Sequence, residues 1–145
     1  MENQIIITDL DGTISNYAHR QYFYRQKMYD KFNSMAAGDV AIEETCNILR
    51  RLKDDETDIY IITAREETYR NLTEDWLSLY EIPCDKLLMR KKGDDRPDAK
   101  IKLELYQEHI PDQDHVWFVL EDRNVCVSMW RSIGLKCLQV ADGRY

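Results

Sequence analysis

An α/β fold with a five-stranded parallel sheet and helices on both faces is predicted for this chain. Three observations predict it. Short β-rich runs alternate with stretches of helical period along the sequence. The connections between most of them are short, which favours right-handed crossovers. The first run, Ile5-Ile6-Ile7, is continuously apolar, as a strand covered on both faces requires.

The elements follow in order. Strands are expected at Gln4–Thr8, Asp58–Thr63, Lys86–Met89, Val116–Glu121 and Lys136–Val140. A first helix is expected from about Asp39 to Lys53, with Ile42, Thr45, Cys46, Leu49 and Leu52 on one face. A second runs from about Glu66 to Tyr80, with Tyr69, Leu72, Trp76 and Tyr80 aligned. A third, about Asp98 to Glu108, carries Ala99, Leu103 and Tyr106, with Ile110 continuing the stripe. A fourth, about Asn124 to Ile133, carries Val125, Met129, Trp130 and Ile133. Pro97 suits a helix start and Pro111 a helix stop, and Gly134 suits the left-handed position after the last helix. The arrangement is a small Rossmann-like three-layer sandwich. Residues 14–38 break the alternation. They are rich in Tyr and Arg and read as a cap or lid inserted after the first strand.

The 145 residues suit one domain with a substantial core. A charged fraction of 32% and the lack of any 20-residue apolar run exclude a helical membrane span and point to a soluble protein. The amino terminus runs straight into the first strand, with no signal peptide visible. Cys46, Cys84, Cys126 and Cys137 are widely spaced and read as reduced thiols of a cytoplasmic protein. A net charge of −7 argues against non-specific grip on nucleic acid. It leaves room for local basic patches, with Arg20, Arg25 and Lys27 in one segment and Arg90, Lys91, Lys92, Arg96, Lys100 and Lys102 in another. His19, His109 and His115 have no metal or triad spacing. Trp76, Trp117 and Trp130 fall on core patterns, whereas Tyr17, Tyr22 and Tyr24 are the better candidates for stacking on a base.

The chemistry concentrates at Asp9-Leu10-Asp11-Gly12-Thr13. Two carboxylates, where a buried strand ends and a Gly turn begins, can supply a nucleophile, a general acid–base and ligands for a divalent cation. In an open parallel sheet, ligands bind beyond the carboxyl ends of the strands. Those ends deliver Asp9 and Asp11, then Thr63-Ala64-Arg65, then Glu121-Asp122-Arg123-Asn124, and the third helix adds Asp98, Lys100 and Lys102.

These residues resemble the motifs of the haloacid dehalogenase (HAD) superfamily of phosphohydrolases: Asp9 to Thr13 its first, Thr63 its second, Lys102 its third, and Glu121-Asp122 its fourth, where an initial Asp is common. The tail Glu121–Asn124, Met129-Trp130-Arg131, Gln139-Val140-Ala141 and Gly143, with Gly93-Asp94-Asp95-Arg96, Asp98 and Lys102, is similar to the 3′-phosphatase domain of phage-type polynucleotide kinase–phosphatases. No G-x-x-x-x-G-K-[ST] is present, so the chain reads as a stand-alone phosphatase or an excised domain, without the kinase half.

The resemblance implies a Mg²⁺-dependent phosphatase acting on 3′-phosphorylated DNA or RNA ends, and on 2′,3′-cyclic RNA ends. Asp9 is the implied nucleophile, Asp11 the general acid and base. Asp9, Asp11 (through its carbonyl), Glu121 and Asp122 would hold the metal. Thr63 with the amides of the following helix start, together with Ala64, Arg65, Arg20 and Asp98, would serve the phosphate, and Lys102 would neutralise it and orient Asp9. Read from the residues alone, Thr63 serves as well as a helix cap, Lys100 competes with Lys102, a solvent-facing place on the lid is the alternative for Arg20, and Asp98 either caps its helix or orients Lys102 on the same helix face. Partners implied are a nucleic-acid end, a separate kinase or ligase, and further copies of the chain. A phosphatase of nucleotides or other small esters, and a non-catalytic binding module, are the alternatives.

Overall fold

The computed structural model describes residues 2–145; Met1, part of the amino-terminal segment read above, lies outside them. The order is β1 (Gln4–Thr8), β2 (Ser15–Asn16), α1 (Gln21–Arg25), α2 (Tyr29–Ser34), β3 (Val40–Ala41), α3 (Glu43–Leu52), β4 (Thr57–Glu66), α4 (Arg70–Leu79), β5 (Lys86–Arg90), α5 (Asp98–His109), β6 (Val116–Glu121), α6 (Asn124–Ser132) and β7 (Cys137–Gln139).

Five strands pair in parallel in the order β5-β4-β1-β6-β7. The chain steps outward from β1 through β4 to β5, then returns to the other side of β1. Such a reversal opens a crevice at the carboxyl ends of the strands beside it. Alternation along β1 divides the core. Ile6 packs with Cys46, Leu49, Trp76 and Leu77 of α3 and α4. Ile5 and Ile7 pack with Ile101 and Leu105 of α5 and with Val127 and Trp130 of α6. Both faces are covered, which is why these strands read as apolar runs rather than alternating ones. Among the described residues no helix is long and apolar enough to cross a membrane.

Several limits differ from the sequence pattern. The first long helix starts at Glu43, because Asp39 is extended and its carboxylate is engaged by Arg20 and His19. The second starts at Arg70, because β4 runs on to Glu66 and a short 3-10 turn follows. In α5 the buried stripe is Ile101, Leu105 and Tyr106 rather than Ala99 and Leu103, for the helix turns Lys102 inward too. In α6 it is Cys126, Val127 and Trp130; Val125 is exposed at the crevice. Trp117, at the amino end of β6, is exposed rather than core.

The insertion after β1 is framed by the antiparallel pair β2–β3 and filled by α1 and α2. Phe32 and Ala36 are buried there. The first helix closes with the Met28 N–H on the Phe23 carbonyl (2.8 Å) and the Lys27 N–H on the Tyr24 carbonyl (3.0 Å). That pair of hydrogen bonds is a Schellman closure, and it places Lys27 at φ 58. Gly134 closes α6 in the same way at φ 91.

Candidate active site

The site begins where β1 ends. The Asp9 N–H continues the ladder onto the Leu120 carbonyl of β6 (2.9 Å). Gly12, at φ 85, then turns the chain. A Cβ there would run into the Asp122 carboxylate, so Gly12 also admits the acidic pair at the end of β6.

Asp9, Glu121 and Asp122 are all buried, with ligand oxygens within 4.8 Å of one another. Lys102 Nζ donates to Asp9 Oδ1 and to Glu121 Oε2, each at 2.8 Å. Thr13 Oγ1 lies 3.1 Å from Asp9 Oδ2 and 3.2 Å from Asp122 Oδ1. A hydroxyl has one proton to give, so it serves one of these carboxylates at a time. Trp130 Nε1 reaches Glu121 Oε2 (3.3 Å), and the Tyr145 hydroxyl bonds Asp122 Oδ2.

Three buried carboxylates therefore face one ammonium. Burial first, and the Asp9 charge second, push the Glu121 and Asp122 carboxyls well above the ordinary carboxylate range. Burial alone would depress the Lys102 ammonium, but Asp9 and Glu121 outweigh it and hold its pKa well above the usual lysine value. An all-oxygen cluster with surplus negative charge in a closed site fits a hard divalent cation such as Mg²⁺.

Asp11 has different surroundings. Arg20 Nη2 donates to Asp11 Oδ1, and Arg65 Nη2 donates to the same oxygen at 2.6 Å. Burial would raise this carboxyl, but Arg65 and Arg20 prevail and lower its pKa to about 2. Arg20 is fully buried, not solvent-facing. It forks onto Asp39 (2.8 and 2.6 Å), donates to the Phe32 carbonyl (3.1 Å) and lies over the Phe32 ring.

The end of β4 supplies the opposite wall. Pairing with β5 shifts between Thr63 and Glu66, and Arg65 is buried within that irregularity. Thr63 Oγ1 accepts the Arg65 N–H (3.1 Å), and the Ala64 carbonyl accepts from Arg90 Nε (2.7 Å). Thr63 is neither a helix cap nor close in sequence to helix amides, since α4 begins seven residues later. Arg65 Nη1 donates to Thr73 (2.9 Å), while its Nε is buried without a partner.

Lys102 is buried and Lys100 exposed, which separates the two lysines. Asp98 does not touch Lys102. Its carboxylate is taken by Arg90 Nη2 (2.5 Å) and by Arg123 Nη1. Nor does it cap α5, whose cap position is Pro97. Both arginines come from strand ends, a pairing that helix spacing does not reveal. Three contributors went unassigned at the sequence level. Thr13 lies inside the first motif, Asp39 opens a helical pattern, and Tyr145 lies in the tail with no pattern to mark it.

A cavity of about 770 Å³ opens over these groups. Asp9, Asp11, Arg65 and Lys102 line it on the sheet side, Tyr24 and Tyr29 on the insertion.

A family model described as the polynucleotide kinase PNKP phosphatase domain matches residues 3–145. The Pnkp1/Rnl/Hen1 complex contains a chain of similar structure, with 35% identity and a TM-score of 0.87, covering 99% of this chain and 48% of that one. A haloacid dehalogenase-like hydrolase from Streptococcus pneumoniae shares the fold at a TM-score of 0.67 and 14% identity, over 94% of this chain and 84% of that one. The curated protein "Putative bifunctional polynucleotide kinase/RNA ligase" of Autographa californica nuclear polyhedrosis virus is 26% identical over 129 residues, which make up 88% of this chain and 18% of the viral protein. The chain thus spans less than half the length of the first relatives it matches.

Proposed function

Because the chain belongs to the PNKP phosphatase-domain family, we propose that it is a Mg²⁺-dependent phosphatase that removes 3′-phosphates from DNA or RNA ends. The observation that carries this reading is the buried Asp9 carboxylate. Lys102 holds one of its oxygens and Thr13 stands at the other, beside the Glu121/Asp122 pair.

Asp9 attacks phosphorus in line. The phosphorus–oxygen bond to the 3′-oxygen breaks, and an aspartyl-phosphate forms. Lys102 orients the attacking carboxylate and offsets charge on the phosphoryl oxygens. The Arg65 guanidinium, which lines the cavity and reaches Asp11 through Nη2, offers those oxygens a donor. As the phosphoryl group draws Arg65 away from Asp11, the Asp11 carboxylate takes up a proton from solvent and gives it to the leaving 3′-oxygen. The resulting carboxylate then takes a proton from the water that attacks phosphorus, which restores Asp9. Asp9, Glu121 and Asp122 would hold Mg²⁺, which supplies charge neutralisation for an anion attacking an anion. Asp98 serves the site indirectly, by fixing Arg90 and Arg123.

Relatives that join a kinase or ligase to such a domain suggest that this chain works beside the same activities in end repair, whether on one polypeptide or several. Phosphate release from matched 3′- and 5′-phosphorylated oligonucleotides, with and without Mg²⁺, tests the reading. Selective, Mg²⁺-dependent loss of the 3′ group is expected. A marked preference for free mononucleotides would replace it with a small-ester phosphatase.

A further inference from the structure

We propose that the α1–α2 turn of the insertion is a strand-binding site, in which Lys27 contacts the phosphodiester next to the terminal nucleoside and Tyr29, backed by Tyr24, stacks on its base. This deepens the proposed function and rests on it.

The first observation is electrostatic. Six cationic side chains line the cavity. Arg65, Lys102, Arg90, Arg123 and Arg96 each have a carboxylate partner within 4 Å. Among the described residues, Lys27 is the one cavity cation outside every such pair. Each of the first five is thus matched by a carboxylate of the protein itself. The sixth has no partner of its own, and it stands on the insertion rather than on the sheet.

The second observation is the surface around it. Tyr24 and Tyr29 lie on either side of Lys27 in sequence and line the same cavity. Their ring centroids are 5.7 Å apart in an edge-to-face pair, and Tyr24 rests on Phe32 at 5.2 Å. Tyr29 is half exposed, so one aromatic surface remains open on a supported platform. The Tyr69 hydroxyl fastens the start of α2 through the Asp30 carbonyl (3.3 Å). An anchored aromatic face beside a free cation matches one nucleotide unit of a strand, a flat base with a phosphodiester beside it. Tyr22 is exposed but lies outside the cavity lining, whereas Tyr17 lines the cavity with its ring against Phe32 and Tyr145. Of the three tyrosines picked out as stacking candidates in the sequence, Tyr17 and Tyr24 line the cavity, and Tyr24 is the one whose ring meets Tyr29.

The backbone supplies a clean test. Lys27 sits at φ 58, where glycine is at ease, so Lys27→Gly deletes the cation and leaves the turn at least as comfortable. Glu81 has the same backbone conformation (φ 54) at the end of α4, outside the cavity lining. Glu81→Gly is therefore the backbone control.

The measurement is kcat/KM on a 3′-phosphorylated oligonucleotide relative to kcat/KM on p-nitrophenyl phosphate, at several salt concentrations. One phosphate contact on a single strand contributes about 0.7 to the salt exponent, or about fivefold at ~0.1 M salt. Lys27→Gly is expected to lower the oligonucleotide preference about fivefold through KM, with a correspondingly shallower salt slope, and Lys27→Arg to restore it. Tyr29→Ala is expected to lower the preference roughly tenfold with the salt slope intact. Glu81→Gly should match the parent protein. A Lys27→Gly protein with the parent's preference and salt slope overturns the inference while the proposed function stands. A parent protein that cleaves p-nitrophenyl phosphate or mononucleotides but not the oligonucleotide overturns both.

Discussion

The hydroxyl of Tyr145 donates to Oδ2 of Asp122, a carboxylate that faces Asp9 across the cluster. The tyrosine is held from two sides. Its carbonyl accepts from Arg123 Nε (3.0 Å), and its ring meets that of Tyr17 at 6.0 Å. Thr13 approaches the other oxygen of Asp122, so each oxygen of this carboxylate has a hydroxyl beside it. Partners that orient a metal ligand commonly contribute 10–100-fold in metal affinity. Tyr145→Phe is expected to weaken Mg²⁺ binding, read by calorimetry, roughly tenfold, while the melting temperature of the metal-free protein changes little.

Gly143 makes the same segment possible. Its carbonyl accepts the Asn124 N–H (2.8 Å) at the start of α6, and a Cβ there would collide with the backbone of Asp122 and Arg123. Backbone cannot yield as a flexible side chain can. Gly143→Ala is expected to destabilise the protein by ~2 kcal/mol or more and to lower phosphatase activity with it, in urea melts and turnover assays.

The acidic pair predicts how stability follows pH. Burial and Asp9 hold the Glu121 and Asp122 carboxyls above their ordinary range. The folded protein therefore keeps protons there that the unfolded chain releases. In the metal-free protein this pair lowers stability as pH rises from about 5 toward neutrality and above, by at most ~1.4 kcal/mol per pH unit for each group. Added Mg²⁺ should raise the melting temperature more at pH 8 than at pH 6. Glu121→Gln is expected to flatten the pH slope and diminish the Mg²⁺ effect.

Arg65 holds Asp11 and Thr73 with separate nitrogens. A lysine carries one ammonium on a flexible stem and cannot reproduce that fork. Arg65→Lys is expected to lower kcat by roughly 10²-fold or more and to raise the Asp11 pKa, visible as a shifted acid limb in the pH–rate profile.

Asp9→Asn should leave the fold intact, since Lys102 keeps Glu121 as a partner. It is expected to lower turnover by about 10³-fold or more, with no phosphorylated protein trapped on rapid acid quench.

The strands were legible because burial on both sides writes an apolar run, as in Ile5-Ile6-Ile7 and in the Ile59–Ile62 stretch of β4. The first motif was legible because two carboxylates around a turn have few other uses. Helix starts were harder to place. Asp39 looks like the opening residue of a helix, yet its carboxylate serves Arg20, nineteen residues earlier. The arginine pairings were least visible. Arg20, Arg65, Arg90 and Arg123 are long side chains from four separate segments, and which carboxylate each finds depends on the packed sheet and insertion. Asp98 and Lys102 share a helix, but each is claimed from outside it, Asp98 by Arg90 and Arg123, Lys102 by Asp9 and Glu121.

Arg20 belongs to the insertion, yet its guanidinium bridges Asp39 and Asp11 with no exposure to water. Swinging this segment outward would strip a buried cation of its counter-ions, at a cost of ~3–5 kcal/mol. The segment is thereby bolted down rather than hinged. For the substrate proposed above, an insertion held in this way favours a frayed or unpaired terminus over a blunt duplex at the cavity it lines.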